Sequence, residues 1–259
     1  MATWGTTMLL NLLFIHCMTV WALVLAQGAD EARLKVSLFL SRGYSKGVIP
    51  SENPEAPLQV TLSLKLIKIL DFDVKRQYIS FVAWQTMMWK ADNLQWTPAS
   101  FNDVSRIAVA ASQIWVPDIQ LMNAAAPTED ITTNANVRLA NNGEVIYVPS
   151  KKYTASCATD LNDEVHECKL KFASWVYPGD QLDLVGDDLD LTEYSADMEW
   201  KLLNATTVRN ANKTIPDITY TLKLSRDRSA DAGPVSLGAS HIITWQLWIL
   251  VALALAWQQ

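Results

Sequence analysis

Along residues 58–70 apolar and polar side chains alternate almost one for one: Leu58-Gln-Val-Thr-Leu-Ser-Leu-Lys-Leu-Ile-Lys-Ile-Leu. Successive side chains of a strand point to opposite faces, so a period of two predicts a strand with one face buried. Tyr78 to Trp89 forms a second such run, and shorter ones follow at 108–116, 136–139, 145–148, 168–175, 181–185, 198–203 and 217–225. Turn residues separate them, among them Asn141-Asn-Gly143, a hairpin signature, and Pro178-Gly179. One stretch keeps a helical period instead. From Asp30 to Arg42, Leu34, Leu38 and Phe39 fall on one stripe, Gly43 stands beyond the end, and a link containing Pro50 and Pro57 follows. Many short strands and one helix predict an all-β fold, a β-sandwich of about ten strands preceded by an N-terminal α-helix.

The two ends have a different pattern. Met8 to Ala26 is apolar and turns polar at Gln27, with Val24 and Ala26 suited to cleavage. Residues 1–26 are therefore expected to be a secretory signal peptide, with a membrane anchor as the alternative because no Lys or Arg precedes the run. Ile242 to Trp257 is uncharged over 16 residues, short against the roughly 20 that span a bilayer. Small residues at 229–233 and an eight-residue spacer, Pro234 to His241, precede it. That order matches the signal for a glycolipid anchor, a single membrane span being the alternative. The expected organisation is a leader, a folded domain over 27–229, and a spacer with hydrophobic tail over 230–259 that holds the domain at a membrane surface.

Charge and residue supply exclude several functions. The net charge is −6 and the pI about 5.1, with no basic cluster, so a nucleic-acid partner is not expected. Histidine occurs only at 16, 166 and 241, two of them in the end segments, which leaves triads and multi-His metal sites without parts. No Gly-rich phosphate loop is present. The acidic residues between Asp180 and Glu199 lack the spacing of a helix-loop-helix calcium site and are expected to be a solvated surface. Neither an enzyme, a cofactor nor a metal is expected. Cys17 falls in the leader, so Cys157 and Cys168 are left to pair in an oxidising compartment around ten residues, 158–167. The sequons Asn204-Ala-Thr206 and Asn212-Lys-Thr214 would be glycosylated there.

Three stretches carry a resemblance: Trp115-Val-Pro-Asp118, Cys168-Lys-Leu-Lys-Phe-Ala-Ser-Trp175, and the Cys157 to Cys168 pair. Leu62-Ser-Leu-Lys-Leu-Ile-Lys-Ile-Leu-Asp-Phe-Asp73, Trp84 with Trp89 and Leu94-Gln-Trp96, Gly143-Glu-Val-Ile-Tyr-Val-Pro149 and Pro216-Asp-Ile-Thr-Tyr-Thr-Leu-Lys-Leu224 support it in order along the chain. Together they resemble the extracellular domain of Cys-loop receptors and its soluble relatives, the acetylcholine-binding proteins. The resemblance implies an N-terminal helix on a twisted β-sandwich, assembled as a ring of five with small-molecule sites between neighbours. A homo-pentamer would supply both faces of each site from this one sequence. In channels of the family four membrane helices follow, and the disulfide loop is an apolar finger; here one apolar stretch follows Arg228 and the loop is the polar Ala158-Thr-Asp-Leu-Asn-Asp-Glu-Val-His-Glu167. The expectation is an extracellular binding protein without a pore of its own.

Carried over residue by residue, the resemblance implies a principal face of Met122, Trp175, Tyr177, Val208 and Ile215, and a complementary face of Trp84, Arg138, Ile146 and Val148. The family's box resembles five aromatic rings around a quaternary ammonium. Here Trp175 and Trp84 keep two, while Met122, Val208 and Ile215 stand where rings are expected and the adjacent Cys pair of the hairpin is absent. Arg138, if it points inward, would favour a carboxylate-bearing or neutral ligand over a cation, and the pocket is expected to take an amphipathic or weakly polar small molecule rather than choline. The alternative is a structural, adhesive or auxiliary surface protein that kept the scaffold and lost agonist binding. Trp89, Trp96 and Trp115 are expected to be packing.

Overall fold

The computed structural model describes residue 16 and residues 28–227, apart from 52, 54, 134, 197, 198, 212 and 213. The expected signal peptide, the C-terminal tail and the Asn212 sequon lie outside the described residues, save residue 16.

The predicted helix is present. Residues 28–35 are α-helical and continue into a π-helical stretch, Val36–Ser41. Leu34 and Leu38 are fully buried, as the stripe requires, and Phe39 meets Tyr44 edge-on at 5.5 Å. Gly43 takes φ +62°, the left-handed conformation that ends a helix, and donates its N–H to Leu40 O.

Among the described residues twelve strands follow: β1 Leu58–Asp73, β2 Tyr78–Lys90, β3 Arg106–Ala110, β4 Ile119–Leu121, β5 Glu129–Asp130, β6 Asn136–Ala140, β7 Glu144–Tyr147, β8 Ser150–Ser156, β9 Val165–Ser174, β10 Leu182–Gly186, β11 Trp200–Asn210 and β12 Asp217–Arg226. An eight-stranded sheet runs β10-β1-β2-β7-β6-β3, with β8 also on β2 and β5 on β8. A four-stranded sheet runs β11-β12-β9-β4. The β1–β10 pairing is parallel.

The sheets pack by the alternation read along the chain. Val60, Leu62, Leu64 and Leu66 of β1 face Ile218, Tyr220, Leu222 and Leu224 of β12 across one core, all fully buried. Removing one such side chain from water is worth about 1.5–3 kcal/mol, and Ile79, Phe81 and Met87 of β2 with Leu170 and Phe172 of β9 join the same core. Two register shifts in β1, at Leu66/Lys68 and Ile69/Asp71, turn Ile69 and Phe72 inward where simple alternation fails. Cys157 and Cys168 are bonded and buried beneath the 158–167 loop.

Two expected strand bounds need correction. The strand expected over 108–116 stops at Ala110, where its partner β6 begins at Asn136. Ala111–Gln113 then form a 3-10 turn, and Pro117 has no N–H for a ladder. The described residues form twelve strands, in keeping with the sandwich of about ten expected, the short β4 and β5 and the polar β8 among them. The strand expected over 198–203 is found from Trp200 onward and continues to Asn210.

Candidate functional site

Of the principal-face residues, Met122, Trp175, Val208 and Ile215 gather about the outward side of the four-stranded sheet, and Tyr177 does not. In register, Val208 of β11 lies opposite Thr219 of β12, Thr219 opposite Lys171 of β9, and Met122, just past β4, donates its N–H to Lys171 O at 2.7 Å. The alternation that turns Lys169 and Lys171 outward gives way to a buried run, Phe172 to Ser174, before Trp175, which is 63% exposed. Ile215, half-buried, is drawn toward the same end because Gly179 N donates to Thr214 O at 2.8 Å. Lys171 Nζ lies 3.6 Å from the fully buried Asp217, whose carboxylate also accepts from Asn210 Nδ2 (2.7 Å) and Thr219 Oγ1 (3.1 Å). A buried carboxylate with these partners fixes the base of the β11–β12 hairpin.

The Trp175 loop is set by Asp118. One carboxylate oxygen accepts from Ser174 Oγ (2.6 Å), and the other from the backbone N–H groups of Trp175 (3.1 Å) and Val176 (2.7 Å). Ser174 Oγ in turn accepts from Tyr177 N at 2.8 Å. These bonds stop β9 and present the indole outward. Tyr177 is not a surface ring. Its hydroxyl accepts from Trp115 Nε1 (3.2 Å) and its ring packs on Trp115 at 5.9 Å, so it buttresses the loop from inside.

The complementary residues share the outer face of the eight-stranded sheet. Arg138 of β6 is opposite Ile146 of β7, which is opposite Met88 of β2. Trp84 stands four residues along β2 on the same face and is 42% exposed; Val148, just past β7, is also exposed. Arg138 is exposed and Ile146 half-buried. Trp84 is opposite Lys65 of β1, whose ammonium lies 5.7 Å from the indole centroid. Lys65 also pairs with Asp190 Oδ2 (3.1 Å) and donates to Thr192 Oγ1 (3.0 Å).

The contrast among tryptophans is sharp. Trp89, Trp96, Trp115 and Trp200 are buried, and Trp89, Trp96 and Trp115 are the packing residues expected, whereas Trp84 and Trp175 are open to solvent on different sheets. Large clefts of a single chain lie elsewhere. One of about 590 Å³ runs between the 188–194 segment and β11, and one of about 860 Å³ lies beside Phe72, His166 and Trp200. Neither contains Trp84 or Trp175.

Three carboxylates of the acidic stretch are paired: Asp183 with Arg209, Asp190 with Lys65, Glu199 with Arg226. Among the described residues no group of three His, Cys, Asp or Glu is arranged to hold a metal ion, and no helix is long and apolar enough to cross a membrane. Sequence reading missed the roles of Lys65 and Asp118; both lie inside quoted motifs, but their partners are fixed only by register and by distant loops.

Comparison with known proteins agrees with this geometry. The chain is 30% identical to the mouse neuronal acetylcholine receptor subunit alpha-2 over 227 residues, 83% of this chain and 44% of the relative. It is 31% identical to the human alpha-2 subunit over 215 residues, 78% and 41% of the two chains. It is 32% identical to the Caenorhabditis elegans acetylcholine receptor subunit beta-type lev-1 over 193 residues, 71% and 37%. The matched part is thus less than half of each of these relatives. A family model described as the neurotransmitter-gated ion-channel ligand binding domain matches residues 31–228. A two-sheet sandwich behind one N-terminal helix, a bonded Cys157–Cys168 loop and this match over most of its length place the chain in the neurotransmitter-gated ion-channel ligand-binding domain family.

Proposed function

We propose that the protein binds a small molecule at the extracellular face of a membrane, at the boundary between copies of itself arranged as a homo-pentamer. The observation that carries this reading is the pair of solvent-open indoles, Trp175 on the four-stranded side and Trp84 on the eight-stranded side. Apolar rings of that size are normally buried or used at interfaces, and a head-to-tail ring contact would bring one of each together from adjoining protomers.

The ligand is amphipathic and neutral or carboxylate-bearing. Met122, Val208 and Ile215 give an aliphatic wall, and Arg138 adds a fixed positive charge on the opposite face. Each cation–π contact contributes about 0.5–2 kcal/mol, so a site with three fewer rings holds a quaternary ammonium weaker by orders of magnitude. The 158–167 loop, with Asp160, Asp163, Glu164 and Glu167, is too polar to dock against an apolar membrane domain. That polarity supports a binding role without a pore of its own. The two sequons and the apolar C-terminal segment support a glycosylated protein tethered at the outer surface.

The test is the native mass of the purified protein, followed by ligand titration of wild type, Trp84→Phe and Trp175→Phe. A five-fold mass, with ligand-dependent emission lost in both variants, supports the reading. A monomeric mass, or micromolar binding of nicotinic ligands, counts against it. A second reading, a structural or auxiliary surface protein on the same scaffold, is favoured by the depleted ring set and the Asn204 sequon; co-expression with full receptor subunits and measurement of mixed-ring masses tests it.

A further inference from the structure

We propose that Lys65 is the protein's own cation for the Trp84 ring, and that it excludes quaternary ammonium ligands from the complementary face. The inference rests on the interface reading above and names the residue that sets its ligand class. The ammonium lies 5.7 Å from the Trp84 centroid, within the range at which a cation is attracted to an indole face. It is not a free surface lysine. Asp190 Oδ2 holds it at 3.1 Å and Thr192 Oγ1 at 3.0 Å.

That clasp is itself anchored. Asp190 Oδ1 accepts from Thr192 N (2.8 Å) and Thr192 Oγ1 (2.7 Å). Asp190 N donates to Leu64 O, and Leu66 N donates to Asp190 O, both at 3.0 Å. The backbone of Asp190 is therefore stitched to β1 on either side of Lys65, as a parallel bridge between Lys65 and Asp190 that sets its carboxylate beside the ammonium. The hydrogen bonds from Thr192, and then Lys65, hold the Asp190 carboxyl below its ordinary range, so it stays charged. An exposed ion pair alone is worth little; here a carboxylate fixed to the backbone aims the ammonium at the ring.

An incoming ammonium must either meet a like charge across the indole or strip Lys65 from the ring, Asp190 and Thr192 together. A neutral or carboxylate group meets no such repulsion, and Lys65 adds its charge to that of Arg138 on the same sheet face.

The probes are choline and its uncharged isostere 3,3-dimethylbutan-1-ol, titrated against the full chain as wild type, Lys65→Met, Lys65→Arg and Asp190→Asn. Each variant is also made with Trp84→Phe, so that Trp84 emission is obtained by difference. Without ligand, Lys65→Met must shift that difference emission, Asp190→Asn must shift it in the same direction, and Lys65→Arg must leave it near wild type. With ligand, wild type prefers the uncharged probe, and Lys65→Met gains about tenfold in affinity for choline, a gain that Trp84→Phe removes. Unchanged difference emission in both Lys65→Met and Asp190→Asn, or equal choline binding by wild type and Lys65→Met, overturns the proposal. Native mass on the same samples separates the two readings. A ring in which Lys65→Met gains nothing refutes the role of Lys65 alone. A monomer that shows the emission shift and the choline gain refutes the interface and upholds Lys65.

Discussion

Replacement of Asp118 by Ala removes the acceptor of three hydrogen bonds that shape the Trp175 loop. The bond from Ser174 is the costly one, because Ser174 is buried and its hydroxyl would lose a charged partner; about 2 kcal/mol is expected for that loss. Trp175 and Val176 are exposed, so water replaces the carboxylate at their N–H groups and each contributes only about 0.5 kcal/mol. The total is about 3 kcal/mol, which for a domain of this size lowers the melting temperature by roughly 6–12 °C. Asp118→Asn keeps one acceptor oxygen and should lose about half as much. Thermal melts followed by circular dichroism give the stability, and Trp175 emission, taken as the difference from Trp175→Phe, gives the loop geometry. A melting temperature within about 1 °C of wild type for Asp118→Ala, with unaltered Trp175 emission, would refute the assignment of loop shape to this carboxylate.

Other consequences are equally direct. Gly143 has φ +84°, and a Cβ there would sit 2.6 Å from Ala91 O. Gly143→Ala should therefore cost at least 2 kcal/mol in urea unfolding, where about 1–2 comes from the left-handed backbone alone; an unchanged midpoint would contradict this. Mutation of both Cys157 and Cys168 to Ser releases the loop they close and should cost about 3 kcal/mol by loop entropy, seen as a melting shift that reductant reproduces in wild type. Thr206→Ala abolishes the Asn204 sequon, and mass spectrometry should show one glycan fewer. Because β11 is an edge strand of its sheet, light scattering should also rise on storage, whereas Thr206→Ser keeps both properties. Asp190 has a carboxyl pKa lowered below its ordinary 3.8 in the folded state. The stability it adds is present above that value and lost as pH falls through the folded one. Asp190→Asn should accordingly show a shallower fall in stability in that acid range, and equal slopes would contradict the clasp.

The strands that own their hydrophobic pattern were legible. β1, β2, β9 and β12 each bury one face, so the alternation of Val60, Leu62, Leu64 and Leu66 or of Ile218, Tyr220, Leu222 and Leu224 is the fold's own signature. β4, β5 and β8 were not, because two or three residues, or a polar run such as Ser150-Lys-Lys-Tyr-Thr-Ala-Ser156 with only Tyr153 and Ala155 buried, are held by their neighbours' ladders. Trp84 and Trp175 could be singled out only through their motifs, since a tryptophan by itself argues for packing, as Trp89, Trp96 and Trp115 illustrate. Lys65 looked like one more polar position in an alternating run. Its meaning depends on the β1–β2 register that sets it against Trp84, and on Asp190, which arrives from a loop far along the chain.

Asp118 grips the main chain of residues 175 and 176, not the indole. The platform is therefore indifferent to what it displays, and position 175 is free to exchange its side chain while the frame beneath keeps its shape. A lineage built on such a platform can drift from one chemical taste to another by surface substitutions alone, without first rebuilding the sandwich.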